Sequence, residues 1–215
     1  MSTNFTVAED IYNKIEELIL SGNLKKGDII SENMFSNMFS VSRTPVREAI
    51  KRLEQDNLVG YDTHKNLKVL GVSSKDIIDI YDIRLKLEPY AVSLAVENAT
   101  NEDALALVEL IELQYYYANH GKIEEVKKID GEFHAKLFTL SGSKIYGEIL
   151  TTLHRKLKRY RKGSFERENR LLSALDEHMQ IAKAFVEKDV EKAVLGIKTH
   201  IENARDNVLQ LDIIK

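Results

Sequence analysis

The side chains able to do chemistry beyond residue 72 of this 215-residue chain are an aspartate, three histidines and an arginine. Asp130 and His134 stand four apart, so on a helix both leave the same face. His178 is flanked on its helical face by Leu175, Ile181, Ala182 and Phe185, and His200 by Gly196, Ile197 and Ala204. Imidazoles and a carboxylate turned inward from facing helices are one way that bundles hold a divalent metal. A lone histidine on an apolar face is more often a satisfied core group, so spacing alone leaves both readings open. Arg84 shares its face with Ile77, Ile80, Tyr81 and Leu87. An inward guanidinium there could grip a carboxylate with two parallel hydrogen bonds, pair with Glu88 four residues on, or do both. Arg155, Arg159 and Arg161 are further basic candidates, and nothing in the sequence chooses among them.

A second constellation lies near the start. Arg43, Arg47 and Lys51 follow one another at i, i+4, i+8, with the hydroxyls of Ser42 and Thr44 at the head of the row. Val46, Ala49, Ile50 and Leu53 form the opposite, apolar face. A basic row led by small hydroxyls suits a recognition helix that enters the DNA major groove by its N-terminus. Thr44 before Pro45 reads as the helix start, with Ser42 as the alternative cap. The net charge is −3, and residues 1–72 are nearly balanced, but between Arg43 and Arg52 four bases face only Glu48. The positive charge is local, which predicts a few well-placed contacts per subunit and two subunits acting together.

These groups need elements to position them. A first helix is expected from about Val7 to Ser21, buried through Ile11, Ile15, Leu18 and Ile19, with Gly22 and Gly27 turning the chain. Ser31 opens a short helix whose apolar positions are Met34, Phe35 and Met38. Ser40-Val41-Ser42 makes the turn into the basic helix, and Leu58–Tyr61 and Leu67–Leu70 read as a hairpin. Helix, helix-turn-helix and hairpin make a winged helix. Asp62 to Asn66 would be its wing, with Lys65 as a DNA-contacting candidate and Asn66 as the residue expected in the left-handed conformation. Beyond the linker at Val72 every segment has helical period, over about 74–98, 101–119, 123–141, 144–162, 170–188 and 190–211. The fold class is mainly α: an N-terminal winged helix-turn-helix, residues 1–72, followed by an all-α antiparallel bundle, residues 73–215. Pro89 should kink the first bundle helix. Cysteine is absent, which excludes disulfides and thiolate chemistry. No signal peptide or membrane-length apolar run is present, so the expectation is a cytoplasmic protein.

Residues 8–70 resemble the GntR-type winged helix of bacterial transcription regulators. The match is carried by Ile19-Leu20-Ser21-Gly22-Asn23-Leu24 with Gly27, by Ser31-Glu32, and by Val41-Ser42-Arg43-Thr44-Pro45-Val46-Arg47-Glu48-Ala49. Asn33 stands where relatives often carry a basic residue. Residues 73–211 resemble the FadR C-terminal domain in its shorter, VanR-like six-helix form. That match rests on Arg84-x-x-x-Glu88 with Ala91 and Ala95, Asp130-x-x-Phe133-His134-x-x-Leu137, Ser141-Gly142, Glu177-His178 and His200. Ser143 replaces the usual asparagine after Ser141-Gly142. The resemblance implies that Asp130, His134, His178 and His200 bind a divalent metal, zinc or nickel by donor type, which helps hold a small carboxylate effector with Arg84.

The expectation is therefore a homodimeric regulator, a repressor, that binds an inverted-repeat operator in double-stranded DNA and answers to a small organic acid. Arg43 should reach base edges, and Arg47 phosphate or base. Two alternatives are a purely structural metal and a metal-dependent hydrolase; the second lacks any base, nucleophile or phosphate loop near the histidines. His64, His120 and His154 have no comparable company and read as surface or structural groups. Tyr115-Tyr116-Tyr117 reads as core and interface packing.

Overall fold

The computed structural model describes residues 6–157 and 168–210. Their contacts separate into two compact units, Met1–Ser73 and Ser74–Lys215. The first unit holds α1 (Val7–Leu20), α2 (Glu32–Phe39), α3 (Arg43–Gln55), β1 (Val59–Tyr61) and β2 (Leu67–Val69). The second holds α4 (Ser74–Asn98), α5 (Asn101–Asn119), α6 (Ile123–Leu140), α7 (Lys144–Lys156), α8 (Glu168–Glu187) and α9 (Val190–Leu209).

In the first unit α1 begins where Thr6 accepts from the Glu9 amide, and α2 where Ser31 accepts from the Met34 amide. The left-handed Ser40 ends α2 and turns the chain into α3. Ile11, Ile15, Phe35, Val46, Ala49 and Leu53 close the core over Val59, Leu67 and Val69 of the hairpin. Each of the fully buried valine, leucine, isoleucine and phenylalanine side chains contributes about 1.5–3 kcal/mol. Met38, expected on the apolar side of α2, is 51% exposed, because an eight-residue helix turns only Phe35 fully inward. The strands pair antiparallel, Val59 with Val69 and Tyr61 with Leu67, and Ile29 adds a bridge to Lys68.

The second unit is a helical bundle. A reciprocal capping box between Thr100 and Asp103 starts α5, and Asp189 accepts from the Lys192 amide to start α9. Gly142, at φ +71°, follows the end of α6. α4 continues through Pro89 and packs on α6, α7 and α9; α8 packs on α5 and α9. The helix expected over 144–162 is seen to Lys156, and its remainder lies outside the described residues. No helix among them is long and apolar enough to cross a membrane.

Candidate functional site

In the first unit α3 begins at Arg43, with Ser42 rather than Thr44 as its cap residue, and Ser42 makes no side-chain cap hydrogen bond. Pro45 is therefore the third helical residue rather than the first, still among the positions whose amides lack a helical acceptor. Ser42, Arg43, Thr44, Arg47 and Lys51 are all exposed, while Val46, Ala49, Ile50 and Leu53 anchor the opposite face. Arg47 alone of the row is clamped. Its Nε and Nη2 donate to the two carboxylate oxygens of Glu32 at 2.8 and 2.9 Å.

In the wing the left-handed residue is Lys65, at φ +62°, not Asn66. The cause is Asp62, whose carboxylate accepts from the amides of His64 and Asn66 at 2.9 Å each and so fixes the backbone on both sides of Lys65. Lys68 pairs with the same carboxylate at 2.8 Å, and together these donors hold Asp62 down to about 2. Lys65 stays exposed at the tip.

The bundle brings the three expected histidines together. Donor atoms of His134 on α6, His178 on α8 and His200 on α9 lie within 4.8 Å of one another, all buried. Asp130 Oδ1 stands 4.0 Å from His134 Nε2 and 3.9 Å from His178 Nε2. Neighbouring groups orient two of the rings. His200 Nδ1 donates to Glu177 Oε2 at 2.8 Å. Gln114 commits its amide N–H to the Val126 carbonyl at 3.2 Å, so its oxygen is the acceptor facing His178 Nδ1 at 3.4 Å. With each Nδ1 facing an oxygen acceptor, the two Nε2 atoms approach to 3.4 Å. They repel unless a proton or a cation lies between them. Two nitrogens on one tetrahedral zinc would stand about 3.3 Å apart, so the donor set fits a metal. Burial, the other three rings and Arg84 push His134 well below its ordinary pKa, which keeps that ring neutral and able to act as a ligand.

Arg84 points inward and is 2% exposed. Its Nε pairs with Glu88 Oε1 at 2.5 Å, and the guanidinium lies over the Tyr81 ring. Burial alone would raise the Glu88 carboxyl; Arg84 and His154 outweigh it and bring the group down to about 2. The terminal nitrogens of Arg84 donate to none of the described residues. Glu88 Oε2 and His134 Nδ1 are likewise buried with no hydrogen-bond partner there.

Residues 7–66 match the family described as bacterial regulatory proteins, gntR family, and residues 79–203 match the FCD domain. The chain belongs to the GntR family of transcription regulators, with a C-terminal FCD domain. The HTH-type transcriptional regulator YdhC of Bacillus subtilis is 28% identical over 89% of this chain and 86% of its own. The gluconate operon transcriptional repressor of the same species is 26% identical over 90% and 81%. In structure, E. coli McbR/YncC superposes with a TM-score of 0.81 at 24% identity, covering 96% of this chain and 98% of that one, a likeness of fold. The rival hydrolase reading falls with this assignment: the domains and relatives are regulators.

Sequence reasoning missed the pairings of three polar residues at the centre of the regulator's bundle. His154, read as a surface or structural group without company, is 6% exposed, donates to Glu88 Oε1 at 2.9 Å and sits with its ring centre 4.4 Å from that of His134. Its spacing from Leu150 and Leu157, at i, i+4, i+7, was the available signal. Glu177 lies off the His178 face, as its neighbouring position requires, but reaches His200 on the next helix. Arg170 holds it by two contacts, at 2.9 and 3.1 Å, and Asn203 by one at 2.8 Å. Gln114 carried no sequence signal beyond its place on α5. Arg155 is half-buried on α7; Arg159 and Arg161 lie outside the described residues. His64 and His120 are exposed.

Proposed function

We propose that the chain works in the cytoplasm as a homodimeric repressor on an inverted-repeat operator, and that a small carboxylate bound in the bundle controls its affinity for DNA. The observation that carries the reading is the approach of His178 Nε2 and His200 Nε2 to 3.4 Å, with Asp130 and His134 beside them. Asp130, His134, His178 and His200 would hold a divalent ion, zinc or nickel by donor type. Such an ion supplies positive charge and open positions for carboxylate oxygens. Glu177 and Gln114 orient two of its imidazoles, as outer partners of metal-bound histidines do. Arg84, held at Nε by Glu88, keeps its outer nitrogens for the acid. Ser42, Arg43, Thr44, Arg47, Lys51 and Lys65 would meet the operator, and two-fold symmetry would set its palindromy. The likeness to a gluconate operon repressor supports repression over activation.

A structural metal is the second reading, favoured by burial: the three histidines are 0–6% exposed. The two separate in one titration. A panel of small mono- and dicarboxylates is added to wild type, Arg84→Ala and metal-stripped protein, reading heat and operator affinity. The regulatory reading expects an acid that binds wild type, loses most affinity in the other two, and shifts operator affinity by about 1–3 kcal/mol. Acids that bind all three forms equally, or never alter operator affinity, leave the metal a structural part.

A further inference from the structure

The guanidinium of Arg47 does not meet solvent as an isolated charge. Glu32 takes its Nε–Nη2 edge in two parallel hydrogen bonds of 2.8 and 2.9 Å. Glu32 is the first residue of α2, behind the Ser31 cap, where the helix dipole favours a carboxylate. The Arg47 hydrogen bond, and after it the charges of Arg47 and Arg43, depress the Glu32 pKa, which favours its carboxylate form. With 68% of the Arg47 side chain and 32% of the Glu32 side chain exposed, the pair adds little to folding stability. Arg43, one turn earlier and exposed, makes no hydrogen bond or ion pair among the described residues. The two leading arginines of α3 are thus differently prepared: Arg43 is exposed without an ion-pair partner among the described residues, and Arg47 is held and locally neutralised.

We propose that Glu32 is a specificity-determining residue that buttresses Arg47 for reading a base. The clamp uses one edge of the guanidinium and leaves the end-on edge, one N–H from each terminal nitrogen, to face a guanine O6/N7 pair. Holding that edge still lowers the entropy lost on recognition, which favours the right base. Cancelling the charge lowers attraction to any phosphate, which disfavours the wrong sequence. The inference rests on the reading that α3 meets DNA and settles the open choice for Arg47 in favour of a base edge.

The test selects bound sequences from a duplex pool with a randomised core, using full-length wild type, Glu32→Gln, Arg47→Ala, Arg47→Lys and Arg43→Ala. Affinity for one fixed unrelated duplex is measured against salt in parallel. Glu32→Gln should blur the same motif position as Arg47→Ala, reducing discrimination there about fivefold or more, and leave the position blurred by Arg43→Ala intact. Arg47→Lys, which cannot form the two-point pair, should resemble Glu32→Gln. Non-specific binding by Glu32→Gln should tighten, and its log–log salt slope should steepen by about 0.9 per protomer. An unchanged motif in Glu32→Gln, or equal weakening on every duplex, overturns the buttress while leaving α3 as the reading helix. Unchanged motifs in both arginine-to-alanine variants would remove the reading of α3 and the buttress with it.

Discussion

Two arginine–glutamate pairs stand at the two functional regions, and their surroundings give them opposite properties. Arg47–Glu32 in the winged helix is bidentate at 2.8–2.9 Å yet mostly solvated; Arg84–Glu88 in the bundle meets at 2.5 Å with side-chain exposures of 3% and 0%. Water screens the first pair, so it adds little to the stability of the fold. The second pair is walled in with Tyr81 and His154, and neither member can part without leaving a buried charge. The pair in the winged helix thus contributes little to stability, and the pair in the bundle cannot be broken without a large loss.

The sharpest way to break this comparison is Glu88→Ala. It strands the Arg84 guanidinium and should lower bundle stability by about 3–5 kcal/mol in urea unfolding. The joint replacement Arg84→Met with Glu88→Gln should recover most of that loss, since an uncharged pair avoids the charge burial. Glu32→Gln should leave the unfolding midpoint unchanged; if it and Glu88→Ala destabilise equally, the contrast between the regions is void. Next in size, Arg43→Ala should weaken binding to a selected operator by about 1–3 kcal/mol and relax its sequence preference, as gel shift on matched and mismatched duplexes would read. Glu177→Gln should lower metal affinity by about 10–100-fold, measured by competition with a chelating dye, because His200 loses its carboxylate anchor. The smallest effect compares two helix starts. Thr100→Ala breaks the capping box of α5 and should cost about 1 kcal/mol, while Ser42→Ala, which removes no cap hydrogen bond, should leave stability unaltered and weaken only DNA binding. Acid sharpens this last contrast. Lys136 and Thr100 hold Asp103 near 2, so its contribution is full above about pH 4 and is lost as the pH falls toward 2.

The elements were legible in the sequence because their signals are local. Helical period, the Thr100-x-x-Asp103 box and the turn at Ser40 each lie within a few residues, and α4, α5 and α9 begin where the pattern places them. Inward faces were legible too, which is why Asp130, His134, His178, His200 and Arg84 could be named. Pairings across helices were not. Glu32 with Arg47, Glu88 with His154 and Gln114 with His178 are separated by 15, 66 and 64 residues. Periodicity says that such groups point inward; only packing decides which of them meet. The company of His154 was missed for this reason, since its carboxylate partner sits on α4. At the wing the error was different in kind: Asn66 has the higher intrinsic left-handed preference, but the two amides gathered by Asp62 put Lys65 there instead.

The central claim is that the four inward ligands of the bundle hold one divalent ion. Elemental analysis of exhaustively dialysed full-length protein tests it most directly, comparing wild type with His134→Ala and with the pairwise histidine variants. The account predicts up to one divalent ion per chain in wild type, most of it lost in His134→Ala and all of it in the double variants. A full equivalent of metal retained after removal of any two of His134, His178 and His200 would contradict it.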